Sequence, residues 1–274
     1  VFDFDDAVYL NHASRANSWT RVFRNGQKTA AIASASTHVI AGNRVLEAYA
    51  RQYNPQVTVI PTPVDTDKFL QRPSAAAAAR LVIGWIGSHT TARYLELVEG
   101  ALAAIAQRYS DVEFRVVGAG NISLRVPCVS FIPWELANEV TDLHRLDIGL
   151  MPMPDDEWAR GKCGFKALLY MSAGLPVVAS PTGINSEIVR DGVNGFLVTT
   201  SEGWVRRLSQ LIEDRALRDR MGQAGRTIVE EEYSLNVQAP RLLEVLRSAH
   251  ERRPVRLSGH ADGAPAQTSS VRMS

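Results

Sequence analysis

From Leu81 onward, short and almost wholly apolar runs alternate with amphipathic stretches of helical period, and this pattern constrains the chain more than any other feature. LVIGWIG, VEFRVVG, VSFIP, DIGLMP and LPVVAS read as strands buried on both faces. ARYLELVEGALAAIAQRY and FKALLYMSAG read as helices that cover them. Strands separated by helices of this length need crossover connections, which are right-handed and give a parallel sheet. The expectation is an α/β fold with a Rossmann-type, doubly wound domain over residues 81–250. A further helix is expected from about Glu135, a short one near Ser186, and two between GVNGFLV and His250.

Residues 1–70 carry a shorter version of the same pattern: a strand around Phe2 and Phe4, a polar stretch, the helix-compatible RVLEAYARQY, and a strand broken by Pro61 and Pro63. The chain opens inside a strand with no initiator Met, so this part reads as an N-terminal α/β domain whose start is missing. QRPSAAAAAR, about residues 71–80, reads as a linker, and the aperiodic polar residues 251–274 as a disordered tail.

Composition removes several function classes. Thirty basic residues against 29 acidic ones are spread along the chain, which gives no electrostatic footprint for nucleic acid. Cys128 and Cys163 are too few for a disulfide framework and lack zinc spacing, so they read as buried free thiols in a reduced, cytoplasmic setting. No apolar run approaches the roughly 20 residues that span a bilayer, which leaves peripheral membrane contact open. Neither a His-Glu-x-x-His pattern, a Gly-x-Ser-x-Gly elbow, nor a Gly-x-Gly-x-x-Gly dinucleotide turn is present.

Ligands of open parallel sheets bind beyond the carboxyl ends of the strands, so the loops there hold the candidate site. In GWIGSHTTARYL, Gly84 and Gly87 would let backbone approach a ligand, while Ser88, Thr90 and Thr91 would cap the next helix near an anion. Pro133 and Trp134 end a strand, where the indole would either stack on a base or pack beneath the loop. Lys162 and Lys166 are four apart at an expected helix start, which projects both from one face beside the positive end of the helix dipole. Gly183, Asn185 and Glu187 follow LPVVAS, with Glu187 a candidate acceptor for sugar hydroxyls. Asp5 and Asp6 end the first strand and would serve the cleft or cap the next turn.

In order, GWIGSHTTARYL, RVVGAG, DIGLMPMPDDEW, KCGFKALLYMSAGLPVVASPTGINSEIV and GVNGFLV resemble the carboxyl-terminal domain of retaining GT-B glycosyltransferases, the glycosyl transferases group 1 family. VFDFDDAVYL, VIAGNRVLEAYA and IPTPVDTDKF are similar to the end of that family's acceptor domain. The resemblance implies two facing Rossmann-like domains, a nucleoside-diphosphate sugar as donor substrate, no metal or other cofactor, and a carbohydrate, lipid-linked or small-molecule acceptor. It further implies Gly87 and Ser88 at the diphosphate, Lys162 and Lys166 neutralising it as it leaves, and Pro133–Trp134 near the base. Most members carry two glutamates seven residues apart before the Gly-Leu-Pro, and here Gly161 and Leu169 stand in those places. That departure keeps a second reading open, a non-catalytic nucleotide-sugar-binding or partner-docking protein, and behind it a third, a sugar epimerase of the same architecture.

Overall fold

The computed structural model describes residues 1–10, 26–73 and 80–252. Most of the expected linker and nearly all of the expected tail lie outside the described residues. Two parallel sheets organise the chain.

The smaller sheet has strands β1 (Phe2–Phe4), β2 (Val39–Ala41) and β3 (Val57–Val59) side by side in that order. Helices α1 (Gly26–Ala35) and α2 (Arg44–Ala50) stand between its strands in the chain. Phe4, Val39, Ala41 and Val57 turn to one face, where they meet Ala33, Leu46 and Ala50 in a small core. Asn43 starts α2, its Oδ1 accepting the Leu46 N–H at 3.0 Å.

The larger sheet is built from β4 (Leu81–Ile86), β5 (Val112–Val117), β6 (Val129–Ile132), β7 (Ile148–Met151), β8 (Val177–Ala179) and β9 (Gly195–Leu197). Their order across the sheet is β6-β5-β4-β7-β8-β9, so the chain works outward from β4 and then starts again on its other side. Along β4, Val82 and Ile86 enter the core on one face, and Ile83 and Trp85 the core on the other. Gly84 lies inside this strand, and a Cβ there would sit 2.3 Å from Leu146, so it serves packing rather than ligand approach.

Three helical expectations need correction. The stretch after Gly87 is not one helix but α3 (His89–Ala92), a 3-10 segment Arg93–Val98, and α4 (Glu99–Arg108). Tyr94 packs into the core on one face of the sheet and Leu95 and Val98 into the other, a division that one straight helix cannot serve. The helix expected from Glu135 begins as a 3-10 turn, Leu136–Asn138, before α5 (Glu139–His144). Among the described residues, three α-helices follow β9, α9 (Ser201–Glu213), α10 (Arg215–Ile228) and α11 (Leu235–Glu251); α6 (Glu157–Arg160), α7 (Phe165–Ser172) and α8 (Asn185–Ile188) precede them. Asp214 ends α9 and caps α10, accepting the Leu217 N–H at 2.8 Å.

The thiols are not buried: Cys128 is exposed in a turn at φ 56, and Cys163 is partly exposed in the loop before α7. They read as buried because free cysteine usually packs as a small apolar group, yet both lie in loops outside the cores.

The two sheets are joined twice. Val64 and Phe69, after β3, enter the core of the larger sheet. The chain then returns on α11, where Leu235, Gln238 and Leu242 close a cavity of ≈ 390 Å³ against Phe4, Ile40 and Ile60.

Candidate functional site

Strand order reverses between β4 and β7, and the carboxyl ends of the strands at such a reversal are where sheets of this kind bind ligands. Gly87 leaves β4 there, its N–H donating to the Val117 carbonyl at 3.0 Å, and Gly118 leaves β5 by donating to the Ile132 carbonyl at 2.9 Å. Gly118 has φ 78, and a Cβ on it would lie 2.3 Å from the Gly87 carbonyl oxygen. Both the left-handed backbone and the missing side chain are therefore required. Gly118→Ala is expected to cost roughly 1–3 kcal/mol from backbone strain alone. Denaturant unfolding measures it, and an unchanged midpoint would show that neither the left-handed backbone nor the close approach to Gly87 constrains this position.

Trp134 borders the same place, its Cβ 3.1 Å from where a Gly118 Cβ would be, and its side chain is 47% exposed. Pro133 beside it is exposed as well. Of the two roles open to the indole, packing beneath the loop does not fit this exposure.

Lys166 stands on the first turn of α7. Its Cε lies 2.5 Å from the position of a Gly87 Cβ, and its ammonium is 5.4 Å from the centre of the Trp85 ring. Among the described residues it makes no hydrogen bond and no ion pair, although Asp6 is near enough to favour its charge. Burial, followed by the charge of Lys162, lowers its pKa to about 8. The helix is held in register with β4 by Tyr170, a fully buried residue whose hydroxyl accepts the Ile86 N–H at 2.9 Å.

Lys162 is not on that helix, contrary to the i, i+4 reading. Gly164, at φ 68, starts α7 at Phe165 and leaves Lys162 in the preceding loop. Its ammonium reaches 3.4 Å from Asp6 Oδ1 and 4.9 Å from the Trp158 ring centre. Burial raises the pKa of Asp6, opposed by Lys162 and aided by Asp5. Asp6 thus meets the lysine pair across the cleft, whereas Asp5 faces the cavity under α11.

The remaining candidates divide. Ser88 occupies the cap position of α3 but makes no capping bond; its hydroxyl pairs with Thr90 at 2.8 Å, and the Thr91 hydroxyl donates to the Ser88 carbonyl. Gly183 packs under the Lys162 loop, since a Cβ there would lie 2.5 Å from the Arg160 carbonyl oxygen. Asn185 is fully buried and donates to the Ser180 carbonyl at 3.1 Å, which makes it a support beneath the loop rather than a surface contact. Glu187 is exposed and pairs with Arg44 at 3.7 Å, joining the two sheets at the rim. At Gly161 a Cβ would lie 2.5 Å from that of Ala7, and Leu169 is buried in the core. Among the described residues no group of three or more His, Cys, Asp or Glu side chains gathers to hold a metal ion.

Sequence reasoning missed Trp85, Gly118 and Asn43. Gly118 carried a usable signal, a glycine directly after a strand; the other two are brought to the site only by tertiary packing.

Residues 80–214, just under half of the chain, match the sequence profile of the family described as Glycosyl transferases group 1. A sucrose synthase of Melioribacter roseus is 36% identical over 90 residues, which is 31% of this chain and 11% of that protein. A D-inositol 3-phosphate glycosyltransferase of Salinispora arenicola is 33% identical over 101 residues, 36% of this chain and 21% of that one. The matched stretches thus span less than a quarter of these curated relatives. Among solved structures, the Anabaena protein HepE in complex with UDP and glucose superposes with a TM-score of 0.70 at 18% identity, covering 90% of this chain and 71% of that one. Sucrose-phosphate synthase from Thermosynechococcus elongatus gives 0.68 at 17% identity, covering 91% and 67%. Residues 80–214 thus resemble a Glycosyl transferases group 1 domain, and the chain has an α/β, GT-B-like fold.

Proposed function

We propose that this chain binds a nucleoside-diphosphate sugar at the sheet reversal and transfers its hexose to a glycan, lipid-linked or small-molecule acceptor with retained anomeric configuration. One observation carries the reading: Lys166 is a largely buried ammonium with no ion pair or hydrogen bond among the described residues and only one nearby carboxylate, Asp6, to favour its charge, placed against Gly87 at the carboxyl end of β4. A charge held there at a cost in solvation is matched by an anion, and a diphosphate also meets the amino end of α7. The likeness to HepE, captured with UDP and glucose, supports the same ligand class. In transfer, Lys166 and Lys162 stabilise the charge that grows on the departing diphosphate, Trp134 faces the base, and Asp6 faces the acceptor side.

Calorimetric titration with UDP, GDP and ADP in parallel tests the reading and identifies the base. Saturable binding of one of them is expected; heats of dilution alone for all three would end it. A bound diphosphate favours the charged lysine, so binding draws in a proton once the free Lys166 has lost its own. Affinity is expected to hold between pH 7 and 8 and to fall about tenfold by pH 9. A flat profile over that range would remove Lys166 as the contact.

A second reading, nucleotide-sugar binding without transfer, is favoured by two positions. Ala7 fills the space that a side chain at Gly161 would need, and Leu169 offers no acceptor for a ribose hydroxyl. Release of nucleoside diphosphate from its sugar conjugate in the presence of acceptor separates the two readings.

A further inference from the structure

The loop that carries Lys162 is held from the other sheet. Asn43 is 2% exposed, and 118 residues separate it from Gly161, to whose carbonyl its Nδ2 donates at 3.0 Å. The same nitrogen donates to the Lys162 carbonyl at 3.2 Å. Its Oδ1 is meanwhile committed to the cap of α2. One amide therefore ties the first turn of α2 to the backbone at the base of the Lys162 side chain. Ala7 and Asp6, after β1, complete the seat, the first by contact with Gly161 and the second by pairing with the lysine ammonium.

We propose that Asn43 is a positioning residue for the donor diphosphate, fixing the backbone of Lys162 so that its ammonium is presented to the phosphates together with Lys166. The inference rests on the function proposed above. A rival account is that Asn43 serves α2 alone, as a helix cap. The two differ in which half of the amide matters. Serine caps helices about as well as asparagine but is too short to reach the loop. Aspartate keeps both the cap and the size, yet an ionised carboxylate cannot donate to two carbonyls.

The test is calorimetric titration of the full chain with UDP, GDP and inorganic pyrophosphate, using the parent, Asn43→Ser, Asn43→Asp, Lys162→Ala and the Asn43→Ser, Lys162→Ala double variant. Melting temperature is followed throughout. Asn43→Ser and Asn43→Asp are expected to weaken binding about tenfold, the effect of one misplaced charge-assisted contact. Both variants keep the cap but leave the Gly161 and Lys162 carbonyls without their donor, so a similar moderate fall in melting temperature is expected of each, with the chain still folded at the titration temperature. In the Lys162→Ala background the Asn43→Ser change is expected to add nothing, since Asn43 acts through that lysine.

Parent-like affinity of both single variants would overturn the proposal, as would an equal loss in the Lys162→Ala background. Absence of binding by the parent itself would overturn the proposed function and this inference with it. Binding by the parent that the variants match removes the inference alone.

Discussion

Lys166→Met is expected to make the protein more stable while abolishing most of its affinity for nucleoside diphosphates. The free lysine carries its charge at neutral pH despite a pKa lowered to about 8, against the ordinary 10.5, chiefly by burial. A charged group whose folded pKa lies below its unfolded one costs stability at every pH below the folded value. That cost is relieved as pH rises from about 8 toward 10.5, where the folded state has lost the proton and the unfolded state still holds it. Methionine keeps much of the side-chain length and removes the charge. Allowing for the residue's partial exposure, the gain is of order 1–2 kcal/mol at pH 7. For a domain of this size that raises Tm by about 2–4 °C. The same substitution deletes a charge-assisted contact to phosphate, weakening binding by about 1.5–3 kcal/mol, or roughly 10- to 150-fold. Differential scanning calorimetry and titration of the same preparation read both effects. A fall in Tm with unchanged affinity would assign Lys166 to packing rather than to a ligand.

Arg226→Met is expected to give the largest loss of stability. Arg226 is 7% exposed on α10, and its guanidinium donates to the carbonyls of Phe69 at 2.6 Å, Ser172 at 2.7 Å and Thr66 at 3.2 Å, as well as to Glu230 at 2.6 Å. Two of these carbonyls belong to the segment that leaves the smaller sheet, and the third to the end of α7. Methionine fills part of the volume but leaves three carbonyls without their donor. The expected cost is about 3–5 kcal/mol, the range for breaking one side of a buried charged network. Urea unfolding gives the value, and a loss below about 1 kcal/mol would mean that water replaces the guanidinium.

The α/β plan with parallel sheets was legible because its strands are buried on both faces and write themselves as apolar runs; LVIGWI and VEFRVV fall on β4 and β5 at the residues expected. Helix ends were less legible. The run from Tyr94 to Ile105 keeps an unbroken helical period, and nothing local shows that Tyr94 and Leu95 serve opposite faces of the sheet. For the candidate site, Gly87 was readable as the residue after a strand and Lys166 as part of a helix start, and the structure brings the two together. The spacing of Lys162 misled, because four residues mean one face only on a continuous helix, and Gly164 at φ 68 interrupts it. Asn43 reads locally as a helix cap and nothing more. Its second role depends on a loop 118 residues away, which no local pattern encodes.

The double connection between the sheets limits how the cleft can open. The outgoing strand segment and the returning helix α11 are themselves joined: Val64 donates to the Tyr233 carbonyl at 2.8 Å, and Leu235 to that of Val64 at 2.9 Å. Two crossings stitched together at a single point behave as one hinge pin. A rotation of the smaller sheet about the Val64–Ser234 bridge would carry Asn43 and Asp6 with it, while Lys166 is anchored to the larger sheet. Lys162, four residues before Lys166, is the one tied to the smaller sheet through Asn43 and Asp6, so such a rotation would strain the Lys162 loop and leave Lys166 in place.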